Sequence, residues 1–404
     1  MSARFTQAPA TRAVRSGLNS DAHHGAVVPP LHLSSTFTFR AFGEKREYDY
    51  TRSGNPTRDL LANALAELEG GAGAVVTSTG MSAITLVVHL LQPGELLVAP
   101  HDCYGGTYRL LNALANKAHF RVAFIDQTDP AAVAKALDLK PRMVWIETPS
   151  NPLLRIVDIR SLAAQAHEHQ AIVVADNTFL SPALQRPLSL GADIVVHSTT
   201  KYLNGHSDVV GGAVIVRDKA LLDDVAWWAN CLGVTGAPFD SFLTLRGLRT
   251  LHARMRSHLE NAAAIVDLLS NHPAVLKVYY PGLTTHRGHE IAKAQQAGFG
   301  AMLSFELRGG SDPARAFVEG LQIFTLAESL GGVESLVAHP ATMTHASMDA
   351  EARRVAGISD GLLRLSIGIE HTEDLLADLQ AGLELCAAYC EGGERSELAV
   401  ARRA

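Results

Sequence analysis

Between about residue 63 and residue 216, short apolar runs alternate with stretches of helical spacing. The runs are Val75-Val76, Leu96-Leu97-Val98, Val144-Trp145-Ile146, Ile172-Val173-Val174, Ile194-Val195-Val196 and Val214-Ile215-Val216. None alternates with polar residues, which predicts strands buried on both faces, as in a mostly parallel sheet covered by helices. The segments between them, such as Ile159 to His169, have the length and spacing of helices. This alternation predicts an α/β layer.

The flanks read differently. Residues 1–62 form an arm rich in Pro, Gly, Ser and Thr, expected to be irregular. A helical pattern runs from Phe242 to Ser270, and an α+β region follows with Val275-Leu276-Lys277-Val278-Tyr279, Ala301-Met302-Leu303-Ser304-Phe305 and Leu362-Leu363-Arg364-Leu365-Ser366 as strands. The expected organisation is an arm (1–62), a large domain (63–257) and a smaller C-terminal domain (258–404).

Composition narrows the function classes. A chain of 404 residues with 47% hydrophobic and 19% charged residues is an ordinary globular protein, long enough for two or three domains. A net charge of -6 without a long basic stretch argues against nucleic acid as a partner. Cys103, Cys231, Cys386 and Cys390 form no CxxC pair, so neither a disulfide framework nor a metal site is expected, and reduced thiols in a cytoplasm are the simpler reading. No apolar stretch reaches the length of a membrane span. Arg4, Arg12 and Arg15, with no acid in the first 17 residues, faintly resemble a transit peptide, but the segment is taken as a flexible start.

Chemistry enters at Ser198-Thr199-Thr200-Lys201-Tyr202, directly after an apolar strand. Lys201 is the candidate Schiff-base nucleophile, although any single lysine after a strand is more often a surface residue. Ser198 and Thr200 alternate beside it and can donate to a phosphate. Asp176 ends the neighbouring strand, where it either caps a turn or pairs with a ring nitrogen. Gly80 and Met81, within Ser78 to Ala83, lie between the strand at Val75-Val76 and the helical pattern Ile84 to Leu91, a turn that suits a phosphate. Tyr104 follows Leu96-Leu97-Val98 and can stack on a ring. Each signal is weak alone. Their conjunction at the ends of four strands fits pyridoxal 5'-phosphate.

The chain also resembles the Cys/Met-metabolism family of pyridoxal-phosphate enzymes over more than nine tenths of its length, about Thr11 to Glu384. The resemblance rests on YDYTRSGNPTRD (48–59), LEGGAGAVVTSTGMSAI (68–84), APHDCYGGTYR (99–109), ETPSNPLLR (147–155), the segment 176–212 around HSTTKYLNGHSDVVGG, and FTLAESLGGVESLVAHPATMTH (324–345). It implies an aspartate-aminotransferase-like fold of type I and a homotetramer built as a dimer of dimers. In that family pattern Lys201 carries the cofactor, Asp176 holds its ring nitrogen and Tyr104 stacks on its ring. Gly80, Met81, Ser198 and Thr200 bind its phosphate, and Tyr50 and Arg52 reach the same phosphate in the neighbouring subunit. Arg364, aided by Ser329 and Asn151, takes the substrate α-carboxylate, with Asp49, Arg109 and Glu328 as further substrate contacts.

Within the family, the segment 226–251 and APHDCYGG favour a γ-replacement enzyme over its sister lyases. The implied reaction joins L-cysteine to O-succinyl-L-homoserine and gives cystathionine and succinate, with Lys201 and Tyr104 moving protons. Cystathionine gamma-lyase and O-acylhomoserine sulfhydrylase are the rival readings, and a non-catalytic cofactor-binding regulatory module is the rival of another class. The residues before Thr11 and the tail GGERSELAVARRA fall outside the resemblance.

Overall fold

The computed structural model describes residues 7–343, 353 and 356–390. The end of the 324–345 motif, the first six residues and the tail from 391 onward lie outside the described residues. The apolar runs become strands β1 (Gly73–Thr77), β2 (Leu96–Pro100), β4 (Met143–Glu147), β5 (Ile172–Asp176), β6 (Ile194–Ser198) and β7 (Gly212–Val216). They are joined by β3 (Arg121–Ile125), which the pattern did not reveal. The order across this seven-stranded sheet is β1-β7-β6-β5-β4-β2-β3.

The pairings from β6 to β3 are parallel, and β7 runs antiparallel to both of its neighbours. Thr77 and Ser198 both face Gly212 in register, so β1 and β6 end at the same level. The carboxyl ends of β1, β2, β4, β5 and β6 therefore lie along one edge, which is where ligands sit in such sheets. Central strands β2, β4 and β7 are buried at every position, which is the physical content of their unbroken apolar pattern.

Helices cover the sheet: α2 (Pro56–Glu69), α3 (Gly80–Val88), α4 (Gly105–Asn116), α5 (Pro130–Leu137), α6 (Ile159–Glu168), the short α7 (Ser181–Leu184) and α8 (Lys219–Leu232), after an opening α1 (Pro9–Arg15). Asn55 starts α2 by accepting from the Thr57 and Arg58 backbone N–H groups, with Pro56 at the first helical position. Thr79 does the same for α3 through Ser82 N. The arm is thus irregular only in part, and its expected limit at 62 falls inside α2.

Expected as one helix, Phe242 to Ser270 is two: α9 (Pro238–Leu248) and α10 (Leu251–Asn271). The break has a local cause. A Cβ on Gly247 would lie 2.0 Å from Asn204 O, so the chain crosses there at backbone distance. The Gly247 carbonyl accepts from Arg254 Nη2 at 2.9 Å and from Thr250 Oγ1 at 3.0 Å instead of continuing the helix. The expected boundary at 257 falls inside α10.

The C-terminal part holds a second sheet of order β10-β11-β12-β9-β8, from β8 (Val275–Tyr279), β9 (Met302–Leu307), β10 (Thr325–Leu326), β11 (Leu336–Ala338) and β12 (Leu362–Ser366). It packs with α10, α12 (Ser311–Gly320) and the helix Thr372–Cys390, while α11 (His289–Gln295) precedes β9. Asp378 of that last helix accepts from the backbone N–H groups of Gln322, Ile323 and Phe324 at 2.7, 2.9 and 3.0 Å, fixing the turn that leads into β10.

Candidate active site

Lys201 lies three residues beyond β6, in a turn closed by Lys201 N donating to Ser198 O. Its Nζ donates to Ser329 Oγ at 2.5 Å. Burial, with the Arg364 guanidinium, lowers the amine from the ordinary 10.5 to about 8, against an upward pull from Glu328. Ser329 holds this contact from a left-handed backbone with φ of +86°. That conformation is uncommon for a residue with a Cβ and marks a position fixed by its surroundings. Its carbonyl oxygen accepts from Arg364 Nη2 at 2.8 Å.

Arg364 is 4% exposed in the middle of β12. Nη1 donates to Asn151 Oδ1 at 3.1 Å, while Nε is buried without a hydrogen-bond partner. Burial lowers this guanidinium to about 10, and Glu328 opposes the shift. A buried cation with one donor left over has the chemistry of an anion seat. Lys201, Ser329, Asn151, Arg364 and Glu328 are therefore gathered into one place.

Asp176 ends β5 and accepts from Thr178 N at 2.9 Å. Burial raises its pKa, whereas Thr178 and His197 pull it down. Ser198 ends β6, and a Cβ on Gly80 would lie 2.8 Å from Ser198 Cβ. Glycine at position 80 thus leaves the first turn of α3 open, where the N–H groups of Gly80 and Met81 have no carbonyl of their own helix to bond. Tyr104 stands at the start of α4, 46% exposed, with Gly106 and Met81 close by: a Cβ on Gly106 would meet Tyr104 Cε1 at 2.5 Å and Met81 Sδ at 2.7 Å. Thr200 differs from expectation, since its hydroxyl is engaged with Gly211, accepting from N at 3.0 Å and donating to O at 3.3 Å.

Three expected residues belong to the arm, and their hydrogen bonds run away from Lys201. Asp49 accepts from Tyr50 N and Ser53 Oγ, and Arg52 Nη1 donates to Asn230 O at 2.8 Å. Tyr50 is 50% exposed. Arg109 is exposed on α4. A cleft of about 1000 Å³ lies elsewhere, between Arg155, Lys277, Tyr279 and Arg287, and none of Lys201, Asp176 or Tyr104 lines it.

Sequence reasoning did not single out Glu147. This residue ends β4, is buried, and accepts from Tyr104 N at 2.7 Å and from Trp145 Nε1 at 3.1 Å. Glu69 and His197 were missed as well: both are fully buried, and Glu69 Oε1 lies 2.6 Å from His197 Nε2 and accepts from Asn177 Nδ2 at 2.9 Å. For Glu147 and His197 the available signal was a charged or polar residue in an otherwise apolar strand; Glu69 ends α2 and carried no such signal.

The donor set fits pyridoxal 5'-phosphate: an amine of lowered basicity, a carboxylate at a strand end, an exposed ring at the rim, and a helix start cleared by Gly80 beside Ser198. Comparison with known proteins agrees with that chemistry. Residues 10–384 match the model of the family described as Cys/Met metabolism PLP-dependent enzyme. The chain is 62% identical over 379 residues to cystathionine gamma-synthase of Escherichia coli (strain K12), covering 94% of this chain and 98% of that one. It is 46% identical to cystathionine gamma-lyase of Dictyostelium discoideum, covering 93% of this chain and 97% of that one. Among solved structures, cystathionine gamma synthase from Xanthomonas oryzae pv. oryzae in complex with cystathionine superposes with a TM-score of 0.94 at 65% identity, covering 95% of this chain and all of that one.

Proposed function

Because the chain belongs to the Cys/Met metabolism family of PLP-dependent enzymes, we propose that Lys201, Tyr104 and Arg364 carry out its exchange of an amino-acid γ-substituent. The protein is a pyridoxal-phosphate-dependent transferase of fold type I. Its reaction is a γ-replacement that forms cystathionine, a transsulfuration step of methionine biosynthesis. We assign the acyl donor as O-succinyl-L-homoserine: the cysteine thiolate forms a C–S bond at Cγ, the C–O bond breaks, and succinate leaves with the electron pair.

The observation that carries the residue assignment is the chain of contacts Lys201–Ser329–Arg364. It sets an amine and an anion seat on the two sides of one residue. Bound pyridoxal phosphate supplies an aldehyde for amine capture and a cationic ring that takes up an electron pair. Asp176 is placed to keep that ring cationic, and Ser198 with the Gly80 and Met81 N–H groups to hold the phosphate, with Thr200 joining if it leaves Gly211. An amine brought down to about 8 is neutral often enough near neutral pH to take protons from Cα and then from Cβ. The Tyr104 hydroxyl, at the rim, is the candidate acceptor for the incoming ammonium proton. Arg364 binds the α-carboxylate while Asn151 and Ser329 hold its fork in place. Glu328, Arg109 and Asp49 are assigned to the remaining charged groups of the two substrates.

The arm supports a homo-oligomer, which we read as a tetramer. Val27, Val28, Leu33, Phe39 and Phe42 are exposed there, and the local pairing is limited to two isolated bridges. Such a segment gains its order from contact with another surface. In a second copy, Tyr50 and Arg52 would complete the phosphate site. Among the described residues no helix is long and apolar enough to cross a membrane. We place the enzyme in the cytoplasm, where its amino-acid substrates are made.

Purified enzyme given O-succinylhomoserine and cysteine should release cystathionine and succinate in equal amounts, and faster than with O-acetylhomoserine. A 2-oxo acid and ammonia as the main products, with cysteine present, would instead indicate elimination. Lys201→Ala should lose both turnover and the visible absorbance of the bound cofactor; turnover surviving that change refutes the assignment of Lys201.

A further inference from the structure

Glu147 and Asp176 are register partners on the adjacent parallel strands β4 and β5, each the last residue of its strand. Parallel neighbours in register point to the same face about 4.8 Å apart. The pocket floor therefore holds two carboxyl groups side by side, and only Asp176 has a part in the reading above. We propose that Glu147 is a positioning residue that carries a proton near neutral pH, seating the Tyr104 backbone while leaving Asp176 as the single anion of the pair. The proposal rests on the assignments of Asp176 and Tyr104.

Charges around the pair decide which member keeps the proton. Glu147 is buried, with Asp176 beside it and Asp102 near, and these push its pKa up to about 8 against the pull of the Tyr104 and Trp145 N–H donors. On the same side Cys103 is a buried thiol, itself pushed up by burial, by Glu147 and by Asp102, so it supplies no compensating cation. Asp176 is also raised by burial, but it has the Thr178 hydrogen bonds and the His197 imidazole in its favour. His197 Nε2 lies against Glu69 Oε1. Asp176 thus has the His197 imidazole of β6 in its favour, whereas Glu147 faces Asp102 from the loop after β2, a carboxylate that also meets Arg155 Nη1 at 3.2 Å. Two adjacent buried carboxyl groups share one proton, and this asymmetry places it on Glu147.

The arrangement also ties two parts of the pocket together. Glu147 Oε2 is 2.7 Å from Tyr104 N, at the residue where the chain enters α4. Loss of the Glu147 proton puts a second negative charge under the pocket without breaking that bond, since a carboxylate accepts from an N–H as well as an acid does. The change on raising the pH is then an electrostatic event rather than an unfolding event.

Infrared spectroscopy on the cofactor-free protein tests this directly, and it does so whether or not the pocket assignments hold. Wild type should show the carbonyl band of a protonated carboxylic acid at neutral pH, bleaching with a midpoint near 8, and Glu147→Gln should lack it. Absence of the band in folded wild type, or its persistence in Glu147→Gln, overturns the proposal. In the loaded enzyme, Glu147→Gln should keep the wild-type visible spectrum at neutral pH and lose its transition near 8. An absorbance-against-pH profile that superimposes on that of wild type would also overturn it. Glu147→Asp keeps an acid but retreats from Tyr104 N by one methylene, so its band should persist with a displaced midpoint; an unchanged midpoint counts against the placement of the proton.

Discussion

Replacing Glu328 with Gln in the cofactor-free enzyme isolates the electrostatics of the Lys201 amine. In the wild type this amine titrates at about 8 in place of 10.5, because it is buried and faces Arg364, while Glu328 pulls the other way. A difference of that size makes the neutral amine roughly 300-fold more abundant at neutral pH than on a solvated lysine, equivalent to about 3 kcal/mol. Removing the Glu328 charge withdraws the upward pull, so the midpoint in Glu328→Gln should fall below that of wild type. The assay is the rate of trapping by a simple aromatic aldehyde and borohydride across pH, with the labelled peptide identified by mass spectrometry. A wild-type midpoint near 10.5, or a rise in Glu328→Gln, would refute the reasoning. The sign for stability follows from the same shift. The unfolded chain binds the extra proton between about 8 and 10.5, so the Lys201 contribution is full above 10.5 and lost as pH falls through about 8.

Two further outcomes follow from buried contacts. Arg364→Lys keeps a positive charge but loses the fork that bonds Asn151 and Ser329; the cofactor should remain bound while kcat/KM falls roughly 100-fold, mostly through KM, and an unchanged KM in steady-state kinetics would contradict the carboxylate role. Asp378→Ala strips three backbone N–H groups of their acceptor, so urea denaturation should show a loss of about 2–4 kcal/mol, with a loss under about 1 kcal/mol arguing that water replaces the carboxylate.

The apolar runs between Val75 and Val216 were legible because burial on both faces leaves no room for polar alternation. β3 escaped although Val122 to Ile125 is apolar: it is a half-buried edge strand, and so short a run does not stand out beside helical stretches. The break at Arg249-Thr250 escaped for another reason: the helical pattern continues across it, and only the approach of Asn204 to Gly247 interrupts the hydrogen bonding. In the pocket, Lys201, Asp176 and Tyr104 could be read as strand-end chemistry. Glu147 has the same signature at the end of β4, but in the sequence it looks like the first letter of a loop motif. Its significance appears only when β4 and β5 are set in register. The arm residues Tyr50 and Arg52 show the opposite limit, since a single chain gives them no partner in the pocket to be recognised by.

Ser329 touches the amine with its hydroxyl and the guanidinium with its carbonyl, and these two atoms belong to the same residue. The nitrogen seat and the carboxylate seat are therefore held at a separation that neither sheet can alter alone. On the proposed assignment this separation is a ruler. It matches a molecule whose amino and carboxyl groups share one carbon, and a homologue with one more carbon between them reaches one seat only by leaving the other. On that assignment, α-amino acids would be preferred over β-amino acids through the hydroxyl and carbonyl of one residue, independently of whatever reads the side chain.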